Sequence, residues 1–220
     1  MKAMGAIVGL VLLAACSTTP SPAPRPACPT AAPTRVQAQD VLSNAGRALV
    51  TTNKGAFSIQ LYGEQAPIAT ANFVLLARCG FYDGISFHRV LAGFVAQAGD
   101  PQTKTNRGDF AKLGSGGAGY SYAIEPPADG LTYDKYAVAM ANDSQTNDSQ
   151  FFIDLADLNR QLSRTYTIFG KVISGTDVID AIGALPVNDP RVGVPLDPAI
   201  IQSITIQPAP SPGPSSPSGS

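Results

Sequence analysis

The chain is organised around one stretch, Phe87-His-Arg-Val-Leu-Ala-Gly-Phe-Val-Ala-Gln-Ala-Gly-Asp100. Its apolar residues surround one cation, Arg89, and one amide, Gln97. A guanidinium is always charged and presents five donors in a planar fork. Placed among phenylalanines on a predicted strand, Arg89 is either a paired structural residue or the working group of a binding face. The stretch taken alone leaves both interpretations open.

The composition indicates a globular domain without a charge bias. The 220 residues include 15 basic and 16 acidic ones, which gives a formal net charge of −1, and 44% are hydrophobic. Proteins that bind nucleic acid or anionic membrane surfaces are usually strongly basic. Nucleic acid is therefore not an expected partner, and the length allows one domain with additional segments at its ends.

The N-terminus has the features of a bacterial lipoprotein signal peptide, predicted at residues 1–15. Lys2 precedes an apolar run from Met4 to Ala15 that is too short to cross a bilayer. Leu13-Ala14-Ala15-Cys16 resembles the lipobox, in which the signal is cut before a Cys that then receives lipid. An ordinary signal peptide cut nearby is the alternative. We expect a lipidated Cys16 that anchors the chain to a membrane, on the extracytoplasmic face of a bacterial cell envelope.

Two segments of biased composition flank the predicted domain. Residues 16–44 are rich in Pro, Ala, Ser and Thr and predict a tether, and residues 208–220 predict a disordered tail. The folded domain is therefore expected at residues 45–207. An oxidising compartment would permit a disulfide between Cys28 and Cys79. Pairing requires the tether to fold back onto the domain, a geometry that the sequence cannot establish, so the unpaired state is favoured and the pairing stays open.

Hydrophobic patterns within the domain predict mainly β structure. Alternation predicts a hairpin at 48–62, and Pro67 opens a predicted helix that ends at Arg78. A second helical pattern covers 176–185, and further short strands are predicted at 136–141, 150–153, 166–172 and 200–206. Many short strands with two helices predict a closed antiparallel β-barrel.

Several kinds of active site are not supported by the residues present. The only histidine, His88, precedes Arg89 and is predicted by strand alternation to point away from it, as a structural residue with satisfied hydrogen bonds. No Gly-x-Ser-x-Gly motif accompanies it. The glycine loop at 114–119 lacks the Gly-Lys-Ser/Thr ending of a phosphate-binding loop, and no calcium-loop pattern is present. We therefore expect neither a metal nor a cofactor.

The residues that remain, one cation and an amide among aromatic side chains, suit a reaction that needs neither a nucleophile nor a proton transfer. Rotation about an X-Pro bond is such a reaction. Amide resonance imposes a barrier of about 18–20 kcal/mol, and uncatalysed isomerisation is correspondingly slow. A donor directed at the prolyl nitrogen would stabilise the twisted transition state, while an apolar pocket holds the ring. Arg89 could supply that donor.

Residues 87–100 resemble the central motif of the cyclophilins, a family of peptidyl-prolyl cis/trans isomerases. Further landmarks follow in the family's order, namely Gly114-Ser-Gly-Gly117, Met140-Ala-Asn142, Ser149-Gln-Phe-Phe-Ile153 and Phe169-Gly-Lys-Val172. The resemblance covers residues 49–206. It implies isomerase activity and a mainly β fold, a closed antiparallel eight-stranded β-barrel capped by two α-helices.

The resemblance also implies a role for each matching residue. Arg89 would be the catalytic residue. Gln161 stands where many members have a Trp that contacts cyclosporin, so weak or no cyclosporin binding is expected. The remaining matched positions would bind substrate, as walls of the proline pocket or partners of the peptide backbone: Phe94, Val95, Gln97, Ala141, Asn142, Gln150, Phe152, Leu162 and Tyr166.

The sequence therefore predicts a lipid-anchored isomerase that acts on proline-containing polypeptides outside the cytoplasm and assists the folding of secreted or envelope proteins. The alternative is a chaperone module that binds proline peptides in the same groove with little turnover. Arg89 favours the enzyme, because a module that only binds needs no donor at the prolyl nitrogen.

Overall fold

The structure, a computed structural model, describes residues 24–106 and 113–209; the predicted signal peptide, Cys16 and the end of the tail lie outside these ranges. The described helices are α1 (Arg35–Leu42), α2 (Pro67–Arg78) and α3 (Thr176–Gly183). None of them is long and apolar enough to cross a membrane. The described strands are β1 (Arg47–Thr52), β2 (Gly55–Leu61), β3 (Arg89–Val90), β4 (Val95–Ala98), β5 (Tyr122–Ala123), β6 (Ala137–Asn142), β7 (Thr146–Asp154), β8 (Ile168–Ser174) and β9 (Ile201–Gln207).

The first hairpin forms where alternation predicts it. In β1 the side chains of Ala48, Val50 and Thr52 are buried while their neighbours are half-exposed, and β2 continues the pattern. The two strands pair antiparallel up to Thr52 opposite Gly55. Gly55 has a φ of +129°, which L side chains rarely adopt, so glycine at this position permits the tight turn.

The sheet is curled but not closed. Its strands follow the order β3-β4-β7-β6-β8-β2-β1-β9, neighbouring pairs are antiparallel, and β5 pairs with β7 beside this path. The predicted closed eight-stranded barrel with two helices is thus corrected, for the described residues, to an open nine-stranded sheet with three helices.

The opening has a local cause between β3 and β9. Strand β3 has only two residues, and Pro198, which precedes β9, lacks the N–H that a ladder requires. An isolated bridge between Ser86 and Ile200 spans the opening instead. Beside it, the Phe87 N–H donates to the Ala199 carbonyl at 2.8 Å.

Two hydrophobic clusters are separated by β7, because successive side chains of a strand point to opposite faces. Phe151 and Ile153 lie in the main core, where Phe151 packs edge-on against Phe73 of α2 with ring centroids 5.6 Å apart. Phe152 points the other way, into a smaller cluster that we call the outer cluster. Its buried members are Val95, Tyr133, Ala139, Phe152, Leu158 and Ile168.

Helix α2 begins at Pro67, as predicted, but its cap comes from a distant loop. Ala66 precedes the helix and has no side chain that can accept from the first backbone N–H groups. The Glu125 carboxylate accepts from the Ile68 N–H at 3.1 Å and from the Ala69 N–H at 2.8 Å. A carboxylate at a helix N-terminus is also favoured by the helix dipole.

Helix α1 corrects the predicted tether, because the ordered part of the chain begins before residue 45. The Thr34 hydroxyl accepts from the Gln37 N–H and the Gln37 side chain accepts from the Thr34 N–H, which is a complete capping box. Ala38 is fully buried and Leu42 packs against the main core, so the helix is fixed by tertiary contact.

The segment before α1 is joined covalently to the domain. Cys28 and Cys79 form a disulfide, which the sequence left open and did not favour. The sequence did not favour it because the composition indicates a tether, and a tether need not lie against the domain. In the structure, α1 packs against the core, and Cys28 before it reaches Cys79 at the C-terminal end of α2.

Candidate active site

Strand register brings the central predicted residues into one row. Arg89 on β3 lies opposite Gln97 on β4, and Gln97 lies opposite Phe152 on β7. Phe152 in turn lies opposite Ala139 on β6. Side chains directly opposite one another on antiparallel strands are close enough to interact. A cation, an amide and an aromatic ring therefore lie side by side across three strands.

A chain of hydrogen bonds holds the cation. Arg89 Nη1 donates to Gln97 Oε1 at 3.3 Å, and Gln97 Nε2 donates to Gln150 Oε1 at 2.9 Å. Gln150 Nε2 then donates to the carbonyls of Gly114 and Gly116 at 2.9 and 2.8 Å. The guanidinium is thus connected through two side-chain amides to the glycine loop (residues 114–119).

Arg89 is half-buried, and no carboxylate of the described residues lies within ion-pair distance of it. Burial lowers the pKa of the guanidinium from its ordinary value, and Tyr166 opposes that shift. An arginine still keeps its charge under such conditions. The site therefore presents a fixed cation that is oriented by amides and not neutralised by an acid from the described part of the chain.

The apolar part of the site is the outer cluster. Val95 and Phe152 are 3% and 4% exposed, and Tyr166 packs edge-on against Phe152 with ring centroids 5.4 Å apart. Partly buried side chains surround them, and these leave apolar surface accessible at the rim. They include four positions predicted from the sequence: Phe94, Ala141, Leu162 and Tyr166.

Asn142 lies at the end of β6, where its side chain is held by the backbone. Its Nδ2 donates to the Thr165 carbonyl at 3.0 Å, and its Oδ1 accepts from the Ser144 N–H at 3.0 Å. Asn142, Ala141, Gln97 and Gln150 all border one cavity of about 390 Å³ beneath the glycine loop. The structure therefore places every predicted substrate-binding residue in the hydrogen-bond chain, in the outer cluster or at this cavity.

A larger cavity lies elsewhere in the molecule. It measures about 720 Å³, lies between α1 and the start of α2, and is bordered by none of the predicted site residues. Its lining mixes apolar side chains such as Leu42 and Leu61 with polar and charged ones such as Gln60 and Glu64. Size alone does not define a functional site, and the hydrogen-bonded cation marks the smaller groove as the candidate.

His88 backs the site but differs from its prediction. It is 4% exposed, and neither ring nitrogen has a hydrogen-bond partner among the described residues. Burial lowers its pKa to about 4, against the opposing influence of the Asp100 carboxylate. His88 also borders, with Arg89, a cavity of about 250 Å³. The expectation of satisfied hydrogen bonds is therefore corrected, and the imidazole is neutral at neutral pH.

Sequence reasoning missed a buried acid beneath the outer cluster. Asp154 is fully buried at the end of β7, and its carboxylate oxygens have no hydrogen-bond partner among the described residues. Burial, followed by repulsion from Asp134, raises its pKa to about 8. The available signal was that this carboxylate directly follows the apolar run Phe151-Phe152-Ile153, where a charged side chain is uncommon.

In the described ranges, no group of three His, Cys, Asp or Glu side chains is placed to hold a metal ion. The arrangement combines an oriented cation, backbone-binding amides and an apolar pocket. Such a site can bind a polypeptide and stabilise partial charge on it. Among the described residues, the only imidazole has no hydrogen-bond partner that it could activate as a nucleophile.

Comparison with known proteins agrees with this arrangement. A profile of the family described as "Cyclophilin type peptidyl-prolyl cis-trans isomerase/CLD" matches residues 47–206. A protein of Mycobacterium bovis named probable peptidyl-prolyl cis-trans isomerase A is 42% identical over 180 residues, covering 72% of this chain and 91% of the relative. A peptidyl-prolyl cis-trans isomerase of Helicobacter pylori is 37% identical over 147 residues, covering 66% and 84%.

The fold is shared with solved structures as well. A cyclophilin type peptidyl-prolyl cis-trans isomerase of Cryptosporidium parvum superposes with a TM-score of 0.65 at 33% identity, covering 76% of this chain and 99% of that one. Helix α1 and the disulfide-bonded Cys28 lie outside the range that the family profile matches. Sequence, fold and the arrangement of the groove together place this chain in the family of cyclophilin-type peptidyl-prolyl cis-trans isomerases.

Proposed function

We propose that this isomerase uses Arg89 as its catalytic residue and acts outside the cytoplasm on proline-containing segments of secreted or envelope proteins. The observation that carries the catalytic proposal is the hydrogen bond from Arg89 to Gln97, in strand register with Phe152 of the outer cluster. It supports a donor held in a fixed orientation next to a pocket suited to a proline ring.

The chemistry follows from the electronic structure of the X-Pro bond. When the bond twists, its nitrogen loses conjugation with the carbonyl and becomes a better hydrogen-bond acceptor. A guanidinium N–H aimed at that nitrogen interacts more strongly with the twisted state than with either planar state, and such differential binding lowers the barrier. Gln97 keeps the guanidinium oriented before the substrate arrives, so little reorganisation is needed.

The proposed substrate class has support from a relative. A second crystal structure of the Cryptosporidium parvum isomerase, determined in the presence of the dipeptide Ala-Pro, superposes on this chain with a TM-score of 0.63 at 34% identity. In this chain, Gln97, Ala141, Asn142 and Gln150 border the groove beside the outer cluster. We assign the peptide backbone to the polar side of the groove and the proline ring to the outer cluster.

The proposed location rests on the N-terminal sequence and on the disulfide. The segment Leu13-Ala14-Ala15-Cys16 resembles a lipobox, and the bond between Cys28 and Cys79 is of a kind that persists in oxidising compartments. A lipid on Cys16 would hold the isomerase near polypeptides that emerge across the membrane, where slow X-Pro isomerisation limits folding.

The catalytic proposal is tested with the full-length protein and an Ala-Pro peptide. Arg89→Ala should lower kcat/KM at least about tenfold, and Arg89→Lys should recover little because an ammonium lacks the planar fork. Arg160→Ala, which removes an exposed arginine, is the matched control and should behave like wild type. Near wild-type turnover in both folded Arg89 variants would exclude this role.

The proposed location is tested by lipid labelling and membrane fractionation in a bacterial host. Cys16→Ser should lose the lipid label and leave the membrane-anchored pool. Cys28→Ser, in a cysteine assigned to the disulfide, should keep the label. Continued labelling of the Cys16→Ser protein would show that the lipid attaches elsewhere, and absence of label from wild type would exclude a lipoprotein.

A further inference from the structure

Asp100 is a buried carboxylate that sequence analysis did not assign to the site. It follows β4, is fully buried, and its Oδ1 accepts from the Gln102 N–H at 2.8 Å. Its Oδ2 accepts from the Gly114 N–H at 2.6 Å, across a gap of 14 residues in sequence. A buried carboxylate is tolerated only when such donors compensate its desolvation. Asp100 thereby fastens the start of the glycine loop to the end of β4.

Gly114 and Gly116, whose carbonyls accept from Gln150, both lie against the Asp100 carboxylate. Gly114 donates its N–H to Asp100 and offers its carbonyl to Gln150. Gly116, whose carbonyl also accepts from Gln150, lies so close to Asp100 that a Cβ on it would be 2.2 Å from Oδ1. The Asp100 side chain therefore fixes the positions of the two carbonyls that accept from Gln150.

These carbonyls determine which way the glutamine amides face. Because Gln150 Nε2 donates to two carbonyls, its Oε1 is left to face Gln97 Nε2, and Gln97 Oε1 is left to face Arg89. A reversed Gln150 amide would set its oxygen against two other acceptors. Because the Gly114 and Gly116 carbonyls accept from the side-chain amide NH₂ of Gln150, it is the oxygen of Gln97 that faces the Arg89 guanidinium.

We propose that Asp100 is a positioning residue for Arg89, which acts through the glycine loop, Gln150 and Gln97. Asp100 holds the two loop carbonyls in place, the carbonyls orient Gln150, and the two amides in series present an acceptor to the guanidinium. The effect on turnover rests on the catalytic role proposed for Arg89, whereas the effect on the orientation of Arg89 does not.

The test replaces Asp100 by Asn in the full-length protein. This change keeps the shape but places an amino group opposite one of the two backbone N–H groups. We expect kcat/KM for an Ala-Pro peptide to fall at least about fivefold. Affinity for the peptide should fall by less than kcat/KM does, because the outer cluster assigned to the proline ring is untouched and only the polar side of the groove is disturbed. The ¹⁵N NMR signals of the Arg89 guanidinium should shift or broaden.

Glu125→Gln is the matched control, since Glu125 is also a carboxylate that accepts from two backbone N–H groups. It should lose stability to a similar extent without changing turnover or the Arg89 signals. If Asp100→Asn lowers stability but leaves both readouts unchanged, as the control does, Asp100 is a structural residue only and the proposal fails.

A double-mutant cycle tests whether Asp100 acts on Arg89 through Gln150. If Asp100 acts through Gln150, then Asp100→Asn should add less than about a twofold loss of kcat/KM in a Gln150→Met background. Independent effects would multiply and would overturn the proposal. Arg89 signals that move without any change in turnover would support the positioning role and contradict the catalytic role of Arg89.

Gly116→Ala covers the case in which Asp100→Asn does not fold. The added Cβ would press on Asp100 Oδ1 from the loop side while the carboxylate itself remains. The same shift of the Arg89 signals and the same loss of kcat/KM are expected. A folded Gly116→Ala protein with unchanged Arg89 signals would contradict the proposal.

Discussion

Cys28 and Cys79 are joined by a disulfide across a sequence separation of 51 residues, and this bond fastens the segment before α1 to the C-terminal end of α2. Neither cysteine borders the cavities beside Arg89. Helix α1 and Cys28 precede the range that the family profile matches, and the bond lies away from the groove.

Removal of the disulfide should destabilise the protein without inactivating it. Closing a loop of this length stabilises a fold by about 4 kcal/mol in the chain-entropy description. In urea unfolding, the Cys28→Ser/Cys79→Ser protein should lose about 2–4 kcal/mol of unfolding free energy, while peptide turnover at low temperature stays near wild type. Wild type treated with a reductant should match the variant. An unchanged unfolding midpoint would contradict the prediction.

Asp154 should make the stability of the protein fall as pH rises. Its folded pKa is raised to about 8, above the value of about 3.9 expected when unfolded. Between these values the folded state keeps a proton that the unfolded state releases, so the unfolding free energy decreases toward pH 8.

Asp154→Asn removes that proton equilibrium while keeping the shape of the side chain. Between pH 5 and pH 8, the variant should gain about 3–4 kcal/mol in unfolding free energy relative to wild type. Asp157→Asn, in an exposed carboxylate three residues later, serves as the control and should run parallel to wild type. Parallel curves for Asp154→Asn and wild type would show that Asp154 is ionised in the folded protein.

His88 should titrate well below neutral pH and should not take part in catalysis. Burial lowers its pKa to about 4 from 6.5, so its contribution to stability is complete above about pH 6.5 and is lost as pH falls toward 4. It is the only histidine, so its C2 proton signal in NMR reports the titration without overlap. His88→Gln should keep most turnover at pH 7. A midpoint near 6.5, or an inactive but folded variant, would reverse this assignment.

Gln161 should make the isomerase insensitive to cyclosporin. The resemblance to the family implies that many members have a Trp at this position and that it contacts the drug. In this chain the position is Gln161, which is exposed beside Leu162 of the outer cluster. Burying a large apolar side chain contributes about 1.5–3 kcal/mol, so its absence should weaken binding about tenfold or more. Gln161→Trp should increase inhibition by the drug more than it increases kcat/KM.

The drug titration needs a control for nonspecific contact. Arg160→Trp places the same aromatic ring on the neighbouring exposed position and should leave sensitivity as in wild type. Inhibition of wild type at nanomolar drug, or an equal gain from both tryptophans, would show that Gln161 does not lie where the drug binds.

The parts of the fold that were predicted correctly depend on local chemistry. Alternation predicts the β1–β2 hairpin because side chains of a strand alternate between water and the core, and Pro67 opens α2 because its fixed φ suits a first helical turn. Thr34 and Gln37 also have the spacing of a capping box, which is typical of a helix N-terminus. The Pro-rich composition around them led to the prediction of a tether, so α1 was missed.

The sequence by itself determined the family and the positions along the chain of Arg89 and of the apolar residues that gather in the outer cluster, because motif residues keep their spacing. Only the tertiary structure decided that Cys28 reaches Cys79, that Glu125 caps α2 and that Asp100 seats the glycine loop. Each of these contacts joins segments that meet only after the sheet has curled, and the altered protonation of His88 and Asp154 arises from water excluded by the same packing.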